Sequence, residues 1–240
     1  MAGRIHSIET LAAVDGPGVR MAVFFQGCPA RCLYCHNPDM WDIRGGITMS
    51  AAEVLERAER MRPYFGREGG VTLTGGEPLM QAAFARELTD VCKQAGISVA
   101  IDTSGACWGP EAQAAVDAAD LLLVDVKHTD AERHRELAGF PLADTLKLLD
   151  YTLTRKKPVW VRQVIVPGWT ASREQVEALA RLLKKYPNVQ RVELLPYHTM
   201  ARAKWEALNK IYPLAATREP TAEEMAELRS ILAQAGLPVT

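Results

Sequence analysis

Eight residues constrain this chain more than any others: Cys28-Pro29-Ala30-Arg31-Cys32-Leu33-Tyr34-Cys35. Three thiols at C-x-x-x-C-x-x-C spacing can wrap one small inorganic body and present three sulfurs to it. On a four-iron cubane, three thiolates leave one iron without a protein ligand, and that iron can hold a substrate. Three buried packing cysteines are the plain alternative, although three of the chain's five cysteines fall in this run. Zinc with His36 as fourth ligand is another, but adjacent Cys35 and His36 close one tetrahedron poorly. Cys32 to His36 also reads C-x-x-C-H, the c-type haem pattern, which would leave Cys28 unexplained.

The remaining composition narrows the setting. The 240 residues suffice for one large α/β domain, 1–240, with the cluster loop at 27–38. Lys+Arg 28 against Asp+Glu 29 gives a formal charge of −1, no basis for nucleic-acid or membrane-surface binding. The opening Met1–His6 lacks the apolar core of a signal peptide, and no apolar run reaches membrane-span length. Five cysteines make no disulfide framework, so the expected compartment is the reducing cytoplasm and the expected state a monomer.

Strand and helix patterns alternate along the chain. Arg4–Thr10 reads as an edge strand, Asp15-Gly16-Pro17-Gly18 as a turn, and Arg20–Gln26 as a buried strand leading into the cysteines. Ser50 with Glu53 forms a capping box for a helix ending near Met61, before Pro63. Strand Val71–Thr74 precedes Gly75-Gly76-Glu77-Pro78. Next come a helix over 81–94, a strand over 97–102 with Thr103, a helix from Pro110, and an apolar strand over 121–126. Helices near 131–138 and 143–154, a strand over 158–166, a helix from Ser172 to Tyr186, a strand over 189–195 and a helix over 222–234 complete the chain. Strand then helix recurs six times with near-continuous apolar strands, the mark of a mostly parallel sheet covered by helices. Six such units make an incomplete (β/α) barrel or an open sheet. Polar residues cluster where strands end: the cysteines, Gly75-Gly76-Glu77, Asp102-Thr103, Asp125 with Lys127, and His198. Arg162 lies within its strand. Parallel α/β folds carry their sites at that edge.

The cysteine run after the first buried strand, with Gly75-Gly76-Glu77-Pro78 after the second, resembles the radical S-adenosylmethionine superfamily. Gly3–Ser7, Asp15–Gly18, Phe24–Cys28, Val166–Trp169 and Glu193–His198 narrow the resemblance to the activating enzymes of pyruvate formate-lyase. The resemblance implies a partial (β/α)6 barrel, a 4Fe–4S cluster on Cys28, Cys32 and Cys35, and S-adenosylmethionine at the open iron. One electron then splits the sulfonium–carbon bond, and a 5′-deoxyadenosyl radical takes hydrogen from a glycine of a partner, pyruvate formate-lyase. An activase of another glycyl radical enzyme and a radical enzyme acting on a small molecule are the neighbouring readings.

The resemblance places Tyr34, Cys35, His36, Gly75, Gly76, Glu77, Asp102, Thr103, Asp125, Val126, Lys127, Arg162 and His198 at the cofactor. It gives Asp102, Thr103, Asp125 and the Leu123 carbonyl a monovalent cation, Na+ or K+, with strand-end capping as the competing reading. It assigns Asp15, Gly16 and Arg20 to the partner's glycyl segment, against an ordinary hairpin turn. Reduced flavodoxin or ferredoxin is the implied electron donor, with Arg155-Lys156-Lys157 as a docking face or simply a solvated one. Cys92 reads as packing, and Cys107 is given no ligand role.

Overall fold

The computed structural model describes all 240 residues, which form two compact units. The first comprises Met1–Pro29 and Met40–Leu123, the second Ala30–Asp39 and Val124–Thr240.

The first unit holds β1 (Ala2–Ala12), β2 (Arg20–Phe25), β3 (Ile47–Ser50), β4 (Gly70–Gly75), β5 (Ser98–Thr103) and the start of β6 (Leu121–Asp125). Its helices are α1 (Ala51–Phe65), α2 (Ala82–Gln94) and α3 (Pro110–Ala118). The sheet order is β3-β1-β2-β4-β5-β6. β1 runs antiparallel to β2 and β3, while β2, β4 and β5 run parallel in register, Arg20 opposite Gly70 and Gly70 opposite Ser98. Met21, Val23, Phe25, Val71, Leu73, Val99 and Ile101 are wholly buried. Each large apolar side chain so buried contributes about 1.5–3 kcal/mol relative to exposure. Both faces of these strands are therefore covered, as their unbroken apolar runs require.

Two expectations need revision here. β1 is an edge strand only beyond Ile5, because the four-residue β3 pairs with Ala2–Ile5 on its outer side. And α1 does not stop before Pro63: it continues to Phe65. Pro63 sits in the last turn, where its missing N–H forfeits one bond, and buried Phe65 anchors the end. At the other end Ser50 and Glu53 form the expected reciprocal capping box.

The second unit holds the end of β6, then β7 (Val159–Ile165) and β8 (Val189–Pro196), in the order β6-β7-β8 with β7 and β8 parallel. Val126 N–H donates to the Arg162 carbonyl at 2.9 Å, and Gln163 Nε2 to the Val126 carbonyl at 2.9 Å. Its helices are α4 (Ala131–Ala138), α5 (Leu142–Thr154), α6 (Arg173–Leu183), α7 (Arg202–Ala207) and α8 (Ala222–Gln234). α7 was not expected from the sequence. α6 starts with half of a capping box: the Ser172 hydroxyl accepts from Gln175 N–H, while the Gln175 side chain accepts from Thr129.

Six strand–helix units, starting at β2, β4, β5, β6, β7 and β8, thus give the expected α/β fold with a mostly parallel sheet and outer helices. No helix is long and apolar enough to cross a membrane.

Candidate functional site

In the first unit the ends of β2 and β4 are joined by main chain. Gly76 N–H donates to the Phe25 carbonyl at 2.9 Å and Glu77 N–H to the Gly27 carbonyl at 2.8 Å. Cys28 follows, its own N–H donating to the Trp41 carbonyl at 3.3 Å. This approach has no room for side chains. A Cβ on Gly76 would lie 2.2 Å from the Gly27 oxygen, and one on Gly75, at φ +105°, 2.6 Å from the Phe25 nitrogen.

Glu77 braces the same loop. Its buried carboxylate accepts from Thr103 Oγ1 (2.7 Å), Ser104 Oγ (2.8 Å), Ser104 N–H (3.0 Å) and Leu79 N–H (3.1 Å). Burial pushes its pKa up, and these bonds pull it part of the way back. Glu77 is therefore a splint between the ends of β4 and β5. Thr103 Oγ1 is occupied on both sides, donating to Glu77 and accepting from Gly105 N–H at 3.0 Å. Asp102 accepts from Thr74 Oγ1 at 2.7 Å. The capping reading of Asp102 and Thr103 fits these bonds. Leu123 is a buried residue of β6, and Cys92 is buried in α2.

The Asp15–Gly18 turn lies at the opposite, N-terminal edge of these strands. Arg20 is turned into its own unit there. All five of its N–H donors meet acceptors of that unit: Thr72 Oγ1 and the carbonyls of Pro17, Glu68, Val71 and Ser98. It is fully buried, and burial pulls its pKa down to about 10 against the opposing charges of Asp120 and Asp15. Arg20 therefore locks the turn from within. Asp15 and Gly16 are half-buried, with the Asp15 carbonyl accepting from Thr72 at 2.6 Å.

The second unit gathers charge and unmet polar groups. β6 delivers Asp125 and Lys127, and β7 delivers Arg162. Lys127 Nζ lies 2.7 Å from Asp125 Oδ2, and Arg162 Nε 3.4 Å from Asp125 Oδ1. Burial alone would raise the Asp125 pKa, but the two cations outweigh it and hold the carboxyl below its ordinary value. Burial would likewise lower Lys127, but Asp125 outweighs it and lifts the ammonium well above the usual range. Lys127 also stands 5.6 Å over the Tyr34 ring. Burial drives the Tyr34 phenol pKa upward, and its hydroxyl is enclosed without a hydrogen-bond partner. Val126 is a buried apolar residue between the two charged ones. His36 and His198 meet edge to face at 3.8 Å, and burial with His198 alongside pulls the His36 pKa down to about 4. His198 Nδ1 is buried and unpartnered.

The Cys32–Cys35 turn is strapped within this unit. Arg31 N–H donates to the Ala138 carbonyl at 2.8 Å and Leu33 N–H to the Leu137 carbonyl at 2.9 Å, both at the end of α4. Left-handed Gly139 lets the chain pass this closely: a Cβ there would stand 3.0 Å from Arg31 Cβ. Cys35 N–H closes onto the Cys32 carbonyl at 3.1 Å.

With this geometry in hand, comparison with known proteins decides the family. Residues 22–183 match the model of the Radical SAM superfamily, a span that draws on both units. The chain belongs to the radical SAM superfamily. It is 45% identical over 216 residues to the pyruvate formate-lyase-activating enzyme of Clostridium pasteurianum, covering 88% of this chain and 89% of that one. It is 38% identical over 237 residues to the pyruvate formate-lyase 1-activating enzyme of Escherichia coli K12, covering 98% and 96%. A solved domain of the pyruvate-formate lyase-activating enzyme from Bacteroides vulgatus superposes with a TM-score of 0.60 at 28% identity, covering 72% of this chain and 98% of that domain.

Membership in the radical SAM superfamily implies a 4Fe–4S cluster and S-adenosylmethionine, and the residues fit both. Cys28, Cys32 and Cys35 are thiols of one short stretch, the soft donor type such a cluster takes, and none is in a disulfide. The enclosed, unmatched Tyr34 hydroxyl and His198 Nδ1 are the kind of polar groups a nucleotide ligand satisfies.

Sequence reasoning missed Trp205 and Lys204. Trp205 Nε1–H donates to the Cys35 carbonyl at 2.9 Å from 170 residues away. Lys204 Nζ reaches Asn37 Oδ1 at 2.8 Å and Asp39 Oδ2 at 3.3 Å. The only available signal was a lone tryptophan in the polar stretch 202–210. Ser104 was also missed, although it adjoins Thr103.

Proposed function

We propose that this chain activates pyruvate formate-lyase by installing a glycyl radical on it, as one catalytic domain spanning 1–240. The observation that carries the proposal is near end-to-end similarity to activating enzymes of that name. The sequence agrees: the path from Cys35 to β3 contains no cysteine, so there is no ferredoxin-like insert. When bound, the cluster supplies an electron and S-adenosylmethionine a cleavable sulfonium–carbon bond, together yielding a carbon radical that abstracts hydrogen.

The chain's residues bind and orient. Cys28, Cys32 and Cys35 would hold the cluster through their thiolates, and the bound cluster would supply the electron. The bare backbone of Gly75 and Gly76 gives close access to a ligand amino group, and Glu77 keeps that backbone rigid. Half-buried Asp125 and Lys127 and buried Arg162 form a charged triad suited to a zwitterionic, sulfonium-bearing ligand. Tyr34 and His198 offer it hydrogen bonds.

Reduced flavodoxin or ferredoxin donates the electron, with exposed Arg155 and Lys156 available to an acidic protein. The enzyme works as a cytoplasmic monomer. The test is anaerobic incubation of reconstituted protein with S-adenosylmethionine, a reductant and pyruvate formate-lyase, followed by electron paramagnetic resonance. A glycyl doublet on the partner is the expected result. A doublet only on a different glycyl radical enzyme would reassign the substrate.

A further inference from the structure

The segment after β8 makes contacts that the proposed chemistry does not use. Most of it is open to solvent: Met200 is 79% and Ile211 91% exposed. Trp205 is among the few buried residues, as are Ala201, Tyr212 and Leu214. It packs its ring 5.4 Å from that of Tyr212, and donates Nε1–H to the Cys35 carbonyl. Its neighbour Lys204 holds Asn37 and Asp39. Adjacent helical residues project about 100° apart, so one turn of α7 grips the loop at two separate points.

α7 is itself fastened. Asn209, in the left-handed conformation at φ 53°, ends it, and Lys210 N–H returns to the Trp205 carbonyl at 2.9 Å. Farther on, Tyr197 OH donates to the Leu214 carbonyl at 3.1 Å. An isolated helix this short does not persist without such ties.

We propose that α7 is a clamp, with Trp205 and Lys204 as positioning residues that fix the Cys35–Asp39 backbone before any cluster binds. The inference rests on the reading of Cys28, Cys32 and Cys35 as cluster ligands. A loop that must converge on one inorganic body loses conformational freedom on binding, and a loop ordered beforehand loses less. The indole N–H fixes the peptide plane that follows Cys35, and the ammonium fixes the chain just beyond it.

The test is hydrogen–deuterium exchange on the anaerobic apo-protein, then cluster loss to an iron chelator after reconstitution. Trp205→Phe keeps the ring and removes the donor. Amides of residues 33–40 should exchange about tenfold faster, the consequence of one lost hydrogen bond, while those of β7 and β8 stay unchanged. Lys204→Met should give a smaller rise at 36–40, and Lys204→Arg should restore protection. Iron release should quicken severalfold in both Trp205→Phe and Lys204→Met. Unchanged exchange at 33–40 in both variants overturns the clamp. Uniform loosening across the unit also overturns it, and reduces Trp205 to core packing. If the wild-type chain takes up no cluster, the ligand reading falls separately, because the apo-protein exchange still decides whether α7 holds the loop.

Discussion

The two units treat their polar residues in opposite ways. In the first, almost every polar group around the Gly75–Glu77 loop is spent on the loop itself: Glu77 takes four donors, Thr103 bonds on both sides, and Arg20 places all five of its N–H groups. In the second, three charges share a half-buried site and two buried polar atoms, Tyr34 OH and His198 Nδ1, lack partners. A buried polar atom left unmet costs about 1–3 kcal/mol. A fold keeps such a cost where a ligand meets the group. The first unit thus holds a shaped backbone, and the second holds polar side-chain atoms without partners.

Substitutions can break this contrast. The largest effect belongs to Gly76→Ala. Its new methyl would meet the Gly27 carbonyl at 2.2 Å, backbone against backbone, and the apo-protein should lose about 3 kcal/mol or more in denaturant unfolding. Unchanged stability would mean that the two loops are not packed as described. Asp125→Ala comes next. Removing the shared anion leaves Lys127 and Arg162 facing each other in a half-buried site, a loss of about 2 kcal/mol in the apo-protein. Iron and sulfide content should stay at the wild-type level, while binding of S-adenosylmethionine weakens about tenfold or more. Unaltered binding would return Asp125 to a structural role. Tyr34→Phe sharpens the contrast most. It removes a hydroxyl that pairs with nothing in the apo-protein, so stability should rise by about 1 kcal/mol while S-adenosylmethionine binding weakens. A loss of apo-protein stability would show that the hydroxyl already has a protein partner.

Much of this was readable from the sequence, and the failures share causes. The buried strands were legible because both faces are covered and the apolar runs are unbroken, as in Leu121–Val124. The start of α1 and the end of α8 were legible, where Ser50 with Glu53 opens one helix and Gly236 follows the other. β3 and α7 were not, because four and six residues are too few to show a period. The bonds of Arg20 were not legible either, because arginine is rarely fully buried, and its location depends on carbonyls from Pro17 to Ser98. In the site, the cysteines and Gly75-Gly76-Glu77 are contiguous motifs and were visible at once. The Trp205–Cys35 bond joins residues 170 apart, and no local pattern reports such a contact.

The most direct measurement is the yield of 5′-deoxyadenosine and methionine when anaerobically reconstituted protein meets S-adenosylmethionine and a strong one-electron reductant. The wild-type chain should release the two in equal amounts, and Cys32→Ala should release neither, because two thiolates do not hold a cubane with one open iron. Wild-type protein that carries its full iron and sulfide yet cleaves nothing would contradict the account.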